Sequence, residues 1–290
     1  MLKTKQFKWL LAIVTLPICA GIIGFLYLYP ANFNLIVTFL DVGQGDSALI
    51  QTPYGQNILI DAGDVDGKVL GALAQFLPFY DRELDLVIIS HPHEDHIGGL
   101  EKILQRYDVK KILYTGVAHT AEIYLQTLNE IKYQNIPVVI IERPQTINLG
   151  QAANLEIIYP RESLQNKEVS ELNNSSIVFK LTYGENAFLF AGDAEAEVED
   201  ELLRAGADLS ADVFKASHHG SDTSNTAEFL QAVDPEFVVI SVGKDNSFGH
   251  PAPRVLTRLE RMGISVYRTD EDGSVQMAGD GKEINVFLDQ

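Results

Sequence analysis

One decapeptide narrows the folds open to this chain more than any other feature. Ser90-His91-Pro92-His93-Glu94-Asp95-His96-Ile97-Gly98-Gly99 follows directly on the run LDLVIIS at 84–90. That run is apolar over several successive residues, which predicts a strand buried on both faces. Three imidazoles and a carboxylate at its end are the ligand types of zinc, manganese and iron sites. Alternate residues of an extended segment share a face, so His91 and His93 are expected to address one cation. A helix starting just beyond would turn Asp95 and His96 towards a second. Gly98 and Gly99 permit close packing there.

The surrounding pattern is of short strands first, then strands and helices in alternation. LIVTFL, SALIQT and NILIDAG are β-rich runs separated by turn residues. Helices are predicted at 69–76, 98–107, 120–134, 194–206, 224–233 and 251–262. Further strands are predicted at 110–114, 137–141, 154–158, 176–183, 186–191, 211–216, 236–241 and 264–268. Hairpins and strand–helix units coexist, which excludes a purely parallel sheet. Two mixed sheets packed together with helices outside fit better. No linker interrupts residues 31–290, read as one domain.

Residues 9–29, WLLAIVTLPICAGIIGFLYLY, carry no charge and are long enough to span a bilayer. Lys3, Lys5 and Lys8 precede them, so a short cytoplasmic N-terminus (1–8) and a single-pass membrane anchor (9–30) are expected, with the domain extracytoplasmic. A cleaved signal peptide or a lipid-anchored Cys19 competes with this reading. The run's continuation to Tyr29 and the bulky Ile18 count against both. Cys19 is the sole cysteine, so thiolate ligands and internal disulfides are excluded from the domain. The formal net charge is −18, although residues 1–30 are basic. Such a surface repels polyanions at long range and argues against a tight, non-specific nucleic-acid binder.

The motif with its neighbours resembles the signature of the metallo-β-lactamase fold superfamily. More narrowly, Phe39-Leu40-Asp41-Val42-Gly43-Gln44-Gly45-Asp46-Ser47 is similar to the start of the hydrolase domain of ComEC/Rec2-type competence proteins. The resemblance covers roughly 34–270 and continues in family order: Asp61-Ala62-Gly63, the histidine cluster, Asn173-Asn174-Ser175-Ser176, Gly192-Asp193, Ser217-His218-His219-Gly220-Ser221 and Phe248-Gly249-His250-Pro251. It implies an α+β fold, an αββα four-layer sandwich, with two divalent cations, zinc or manganese, at one sheet edge.

On that resemblance His91 and His93 bind the first cation, Asp95 and His96 the second, Asp193 bridges both, and His218 completes the second. Asp95, Asp193 and His250 are the catalytic candidates, His250 as a proton donor to a leaving group or a phosphoryl contact. Asp41, Asp46, Asp61, Asn174, Ser176, His219 and Ser221 are expected nearby, supporting ligands or touching substrate. Lys215, Lys244, Asn225, Asn246 and Ser221 are candidate phosphate contacts. Many superfamily members place another histidine on the first cation. Here that region reads Leu172-Asn173-Asn174, leaving water or an asparagine oxygen in its stead. A bridging aspartate suits phosphodiester chemistry, so a phosphodiesterase or nuclease acting on DNA is expected. The alternatives are a hydrolase of a small phosphodiester or cell-envelope phosphate ester, and a non-enzymatic binding protein that keeps the fold. Competence proteins also carry a multi-helix channel, which one span cannot form, so uptake itself is not implied.

Overall fold

The computed structural model describes Thr15, residues 34–150 and residues 153–288. The chain divides into Met1–Phe33 and Asn34–Gln290. The anchor expected at 9–30 lies, Thr15 apart, outside the described residues. Among the described residues no helix is long and apolar enough to cross a membrane.

Strands in chain order are β1 (Leu35–Phe39), β2 (Ala48–Gln51), β3 (Asn57–Ile60), β4 (Glu83–Leu84), β5 (Leu86–Ile88), β6 (Asp108–Val109), β7 (Ile112–Tyr114), β8 (Val138–Ile140), β9 (Gln145–Asn148), β10 (Ala153–Tyr159), β11 (Val178–Tyr183), β12 (Asn186–Phe190), β13 (Val213–Lys215), β14 (Phe237–Ile240), β15 (Ser265–Arg268), β16 (Val275–Gly279) and β17 (Ile284–Leu288). Helices are α1 (Lys68–Phe76), α2 (Glu94–Ile97), α3 (Leu100–Arg106), α4 (Glu122–Tyr133), α5 (Ala196–Arg204), α6 (Ala227–Val233), α7 (Pro253–Met262) and α8 (Thr269–Asp272). One sheet runs β17-β16-β1-β2-β3-β5-β7-β8 and the other β15-β14-β13-β12-β11-β10-β9; β4 and β6 form a small separate pair.

Strand alternation decides what faces what. Leu35, Val37 and Phe39 of β1, Ile58 and Ile60 of β3, and Leu86 and Ile88 of β5 point into the space between the sheets. There they meet Phe179, Leu181, Phe188, Phe190, Val213 and Val239. The intervening Leu59 and Val87 pack outward beneath α1, α3 and α4. Leu189, Phe214 and Val238 pack outward beneath α5, α6 and α7. A strand apolar on successive residues therefore serves two cores at once, and the result is the four-layer αββα arrangement.

Each sheet joins an antiparallel portion to a parallel one. In the first, β3-β5-β7-β8 are parallel; in the second, β12-β13-β14-β15 are. The carboxyl ends of β3, β5, β12 and β13 sit where the strand pattern changes, the kind of place where ligands bind in open mixed sheets.

The helix predicted at 98–107 is α3, Leu100–Arg106, and the short α2, Glu94–Ile97, precedes it across the Gly98-Gly99 turn. A Cβ at Gly99 would meet the Ala62 carbonyl oxygen, so this turn approaches the β3 loop as only glycine can. The strand predicted at 110–114 is β7, Ile112–Tyr114, with the two-residue β6 just before it. Strands β9, β16 and β17 were not expected. β16 pairs with β1 along its whole length and so completes the first sheet.

Candidate metal centre

Loops from both sheets converge at one end of the sandwich. Asp61 follows β3, His91 follows β5, Asp193 follows β12, and Ser217–Gly220 form a 3-10 turn after β13. Asp46 enters from the β1–β2 loop, whose backbone is tied to α2 by Asp46 N donating to Asp95 O at 3.1 Å. A Cβ on Gly45, at φ +116°, would run into that same Asp95 carbonyl, which is why the approach needs glycine.

His91 Nε2 and His93 Nδ1 face each other at 3.0 Å. Asp193 lies among the imidazoles: its Oδ2 is 3.3 Å from His96 Nε2, 3.5 Å from His219 Nε2 and 3.9 Å from His218 Nε2. It also joins His91 and His96 in one group of potential ligands. Asp95, His96 and His219 form another. His219 Nε2 is 3.0 Å from Asp95 Oδ2. Thus Asp193 is common to an inner set with His91 and an outer set with His219.

The remote ring nitrogens have partners that set the tautomers. His96 Nδ1 lies 2.9 Å from Asp61 Oδ2, and Asp61 is in turn held by Ser90 N at 2.8 Å and Ser90 Oγ at 2.6 Å. His219 Nδ1 lies 2.9 Å from the Ser241 carbonyl oxygen. With Nδ1–H donating outward, each Nε2 presents its lone pair to the site. Asp193 is oriented by its own N–H donating to Ser176 Oγ at 3.0 Å.

Electrostatics match the geometry. Burial alone would lower the pKa of His96, but Asp193, Asp95 and Asp61 raise it well above its ordinary value. Burial likewise opposes protonation of His219, yet Asp193 and Asp46 push it up to about 10. Burial raises Asp193, and His96 and His219 more than reverse this, holding it well below the carboxylate range. Asp95 is lowered by His96 and His219 against its burial. His91, buried and near His96, is driven well down. Without cations the carboxylates draw protons onto imidazoles, so the donor set carries a surplus of negative charge that wants cations. His96 Nε2 and Asp193 Oδ1 are buried with no hydrogen-bond partner, as expected of donors awaiting ions. The residues fit a pair of divalent cations.

The histidine pair after β13 departs from expectation. It is His219, buried, whose Nε2 lies closest to Asp95 and Asp193. His218 is partly exposed and lines the cleft, with its Nδ1 at 3.2 Å from Thr223 Oγ1 and 3.3 Å from Glu195 Oε1. Asn174 does not face the ligands. Its Oδ1 accepts from Glu195 N at 2.9 Å. Asn173 is the asparagine beside them, and its Oδ1 is buried without a partner. Asp41 caps the Gly43 amide at 3.0 Å and lines a neighbouring pocket with Asp66, Lys68 and Lys244. Among the candidate phosphate contacts, Lys215 is buried and ion-paired with Asp46. Asn225 is buried and binds Ser217 N and O, Ser221 is buried against Thr223, and Asn246 binds its own loop. Those four are committed internally, leaving only Lys244 free for phosphate. Sequence reasoning passed over Glu195; of the two asparagines offered as an oxygen donor it is Asn173 that lines the cleft beside the ligands.

An open cleft of about 390 Å³ leads to the centre, lined by Gln44, Asp64, His93, Glu94, Asp95, Asn173, Asp193, His218 and Phe248. His250 sits at its edge, its ring centroid 5.5 Å from that of His218.

The profile of the Metallo-beta-lactamase superfamily matches residues 40–244. The ComE operon protein 3 of Bacillus subtilis is 29% identical over 91% of this chain and 35% of its own length. The competence protein ComA of Neisseria gonorrhoeae is 30% identical over 83% of this chain and 32% of its own length. Recombination protein 2 of Haemophilus influenzae is 30% identical over 88% and 29% respectively. The chain thus spans about a third of the length of these relatives. Among solved structures, CmlA, a diiron beta-hydroxylase from Streptomyces venezuelae, superposes with a TM-score of 0.51 at 16% identity, over 81% of this chain and 52% of that one; the likeness is one of fold. Profile match, layer order and ligand convergence agree: the chain belongs to the metallo-beta-lactamase superfamily and is similar to ComEC-type competence proteins.

Proposed function

We propose that this chain is a membrane-anchored, metal-dependent phosphodiesterase acting on DNA. The observation that carries the reading is Asp193, one buried carboxylate shared by the His91 and the His219 ligand groups. His91, His93, Asp193 and the Asn173 oxygen would hold the inner cation; Asp95, His96, His219 and Asp193 would hold the outer. This exchanges the expected roles of His218 and His219. A cation pair supplies an acidified water and offsets charge developing at phosphorus. The chain's own part is orientation: Asp61 aims His96, the Ser241 carbonyl aims His219, and Ser176 aims Asp193. His218 and His250 stand towards substrate. Burial, then His218 and His219, lowers the pKa of His250, and the neutral ring this favours offers substrate one N–H donor and one acceptor nitrogen.

The charge-free run at 9–29 supports the anchor, and the competence relatives support DNA. The acidic cleft wall, with Asp64 and Glu94, favours the second reading, a small phosphodiester or envelope phosphate ester. The test is the full chain with added Mn²⁺ or Zn²⁺ on single-stranded DNA and, in parallel, on bis-p-nitrophenyl phosphate. Cleavage of DNA is expected. Cleavage of the small ester alone would favour the second reading. Failure on both, with no metal retained, would leave the fold as a binding protein.

A further inference from the structure

Phe248 is 67% exposed and lines the cleft beside His93, Asp95, Asp193 and His218. A single exposed ring is ordinary on a protein surface; what distinguishes Phe248 is its place on the wall of the cleft among the candidate ligands. The ring is not on a loose tip. All the hydrogen-bonding capacity of the Asn246 side chain goes into the surrounding backbone. Its Nδ2 donates to Gly243 O at 3.1 Å and His250 O at 2.6 Å, while its Oδ1 accepts from Phe248 N at 3.2 Å and His250 N at 3.1 Å. Gly243 N in turn donates to Gln44 Oε1 at 3.1 Å, tying this loop to the one that carries Asp46. The Phe248 and His250 rings are nearly parallel, 12° apart with centroids at 6.0 Å. His218 continues the row of rings inward.

We propose that Phe248, backed by His250, is a stacking platform for a nucleobase of the substrate, positioned next to the scissile phosphodiester. The proposal rests on the phosphodiesterase reading and names what the cleft recognises. Charge points the same way. Asp64 and Glu94 on the wall would repel phosphates flanking the scissile one, and the whole chain is strongly anionic. Stacking is a neutral contact that this field does not weaken, and it tolerates any base because every base has a π-face. The base can come from a strand or from a free nucleotide; both present the same face.

The test uses the full, Mn²⁺-loaded chain and its Phe248→Ala, Phe248→Leu and Phe248→Tyr variants. Substrates are oligothymidylate and a strand of equal length built from abasic sugar phosphates. Loss of the ring in Phe248→Ala and Phe248→Leu should lower kcat/KM on oligothymidylate by roughly 5- to 150-fold, with Phe248→Tyr close to the parent. All four proteins should treat the abasic strand alike. Full activity of Phe248→Leu on oligothymidylate, or equal losses on both strands, overturns the proposal. Should the parent cleave neither strand, the phosphodiesterase reading fails, and binding then decides the platform by itself. Trp9 is the sole native tryptophan, so a Phe248→Trp variant reports stacking as fluorescence quenching. Saturable quenching by thymidine 5′-monophosphate but not by ribose 5-phosphate supports the platform and identifies a free nucleotide as sufficient. Quenching by oligothymidylate alone supports it with a strand as the source. No quenching by either refutes it.

Discussion

Replacing Lys215 by Met tests whether the two sheets are held together at the site by charge. Lys215 ends β13 in the second sheet, and Asp46 lies in the β1–β2 loop of the first. Their side chains are 4% and 8% exposed and form a direct ion pair. Burial raises the pKa of Asp46, but Lys215, then His219 and His96, bring it below its ordinary value. Methionine fills much the same space without charge. It leaves Asp46 buried beside imidazoles that are neutral once cations load, an uncompensated charge costing about 3–5 kcal/mol. At about 2–4 °C per kcal/mol for a domain of this size, the expected fall in Tm is roughly 6–20 °C. Asp46 has a depressed folded pKa, so its contribution is present above the ordinary value of 3.8 and lost as pH falls through the folded one. Parent and variant should therefore converge in acid. Adding Asp46→Asn should restore most of the stability but not the activity, because the carboxylate also lies 3.2 Å from His219 Nδ1. Thermal unfolding by circular dichroism, with metal present, measures all three proteins. A single-variant loss below about 1 kcal/mol, or no recovery in the double variant, would refute the argument.

Four further outcomes are expected. Asp61→Ala removes the acceptor for His96 Nδ1–H and should weaken metal binding on the order of 10- to 100-fold, read by competition with a chromophoric chelator. His219→Ala should lose metal on gel filtration while His218→Ala retains it with altered KM; elemental analysis showing the reverse would return the ligand role to His218. Gly45→Ala should cost activity and stability together, since its Cβ meets the Asp95 backbone; an unchanged melting curve would contradict that contact. In the metal-free protein, His219 is raised to about 10, so its contribution is complete below its ordinary 6.5 and lost as pH climbs through 10. Metal loading near neutral pH must then expel protons and tighten as pH rises; calorimetry in buffers of different ionisation heat should show buffer-dependent enthalpies.

The sandwich was readable because unbroken apolar runs mark strands shared by two cores, as in Ile58-Leu59-Ile60 and Leu86-Val87-Ile88. That His91 and His93 face each other was readable for a local reason: they follow β5 in extended backbone, where spacing alone says which residues share a face. β16 and β17 were missed because both are short and Gly273, Gly279 and Gly281 break the run around them. β16 becomes a strand by pairing with β1 across 236 or more residues of sequence, as Val275 with Phe39, and β17 by pairing in turn with β16. Lys215 and Asn225 were read as candidate phosphate contacts. Lys215 is instead engaged by Asp46 of the other sheet, and Asn225 by Ser217, Ser221 and Glu199.

The choice between His218 and His219 shows why spacing reaches its limit here. Both have left-handed backbones, φ 50° and φ 52°, a conformation that costs non-glycine residues roughly 1–2 kcal/mol each and survives only where surroundings impose it. The contacts that impose it come from α5 and from the loop after the turn. Glu199 of α5 accepts from Asn225 N at 2.6 Å and from Thr226 N at 2.9 Å. Asn225 then grips Ser217 N, Ser217 O and Ser221 O at 3.0, 2.9 and 3.1 Å. His218 N is bound to Gly192 O, next to Asp193. A helix carboxylate thereby sets a turn, and the turn sends the second histidine inward and the first towards the cleft. A strand-end rule, which counts alternating faces from β13, has no access to that rotation, because the residues that enforce it belong to another helix and another loop.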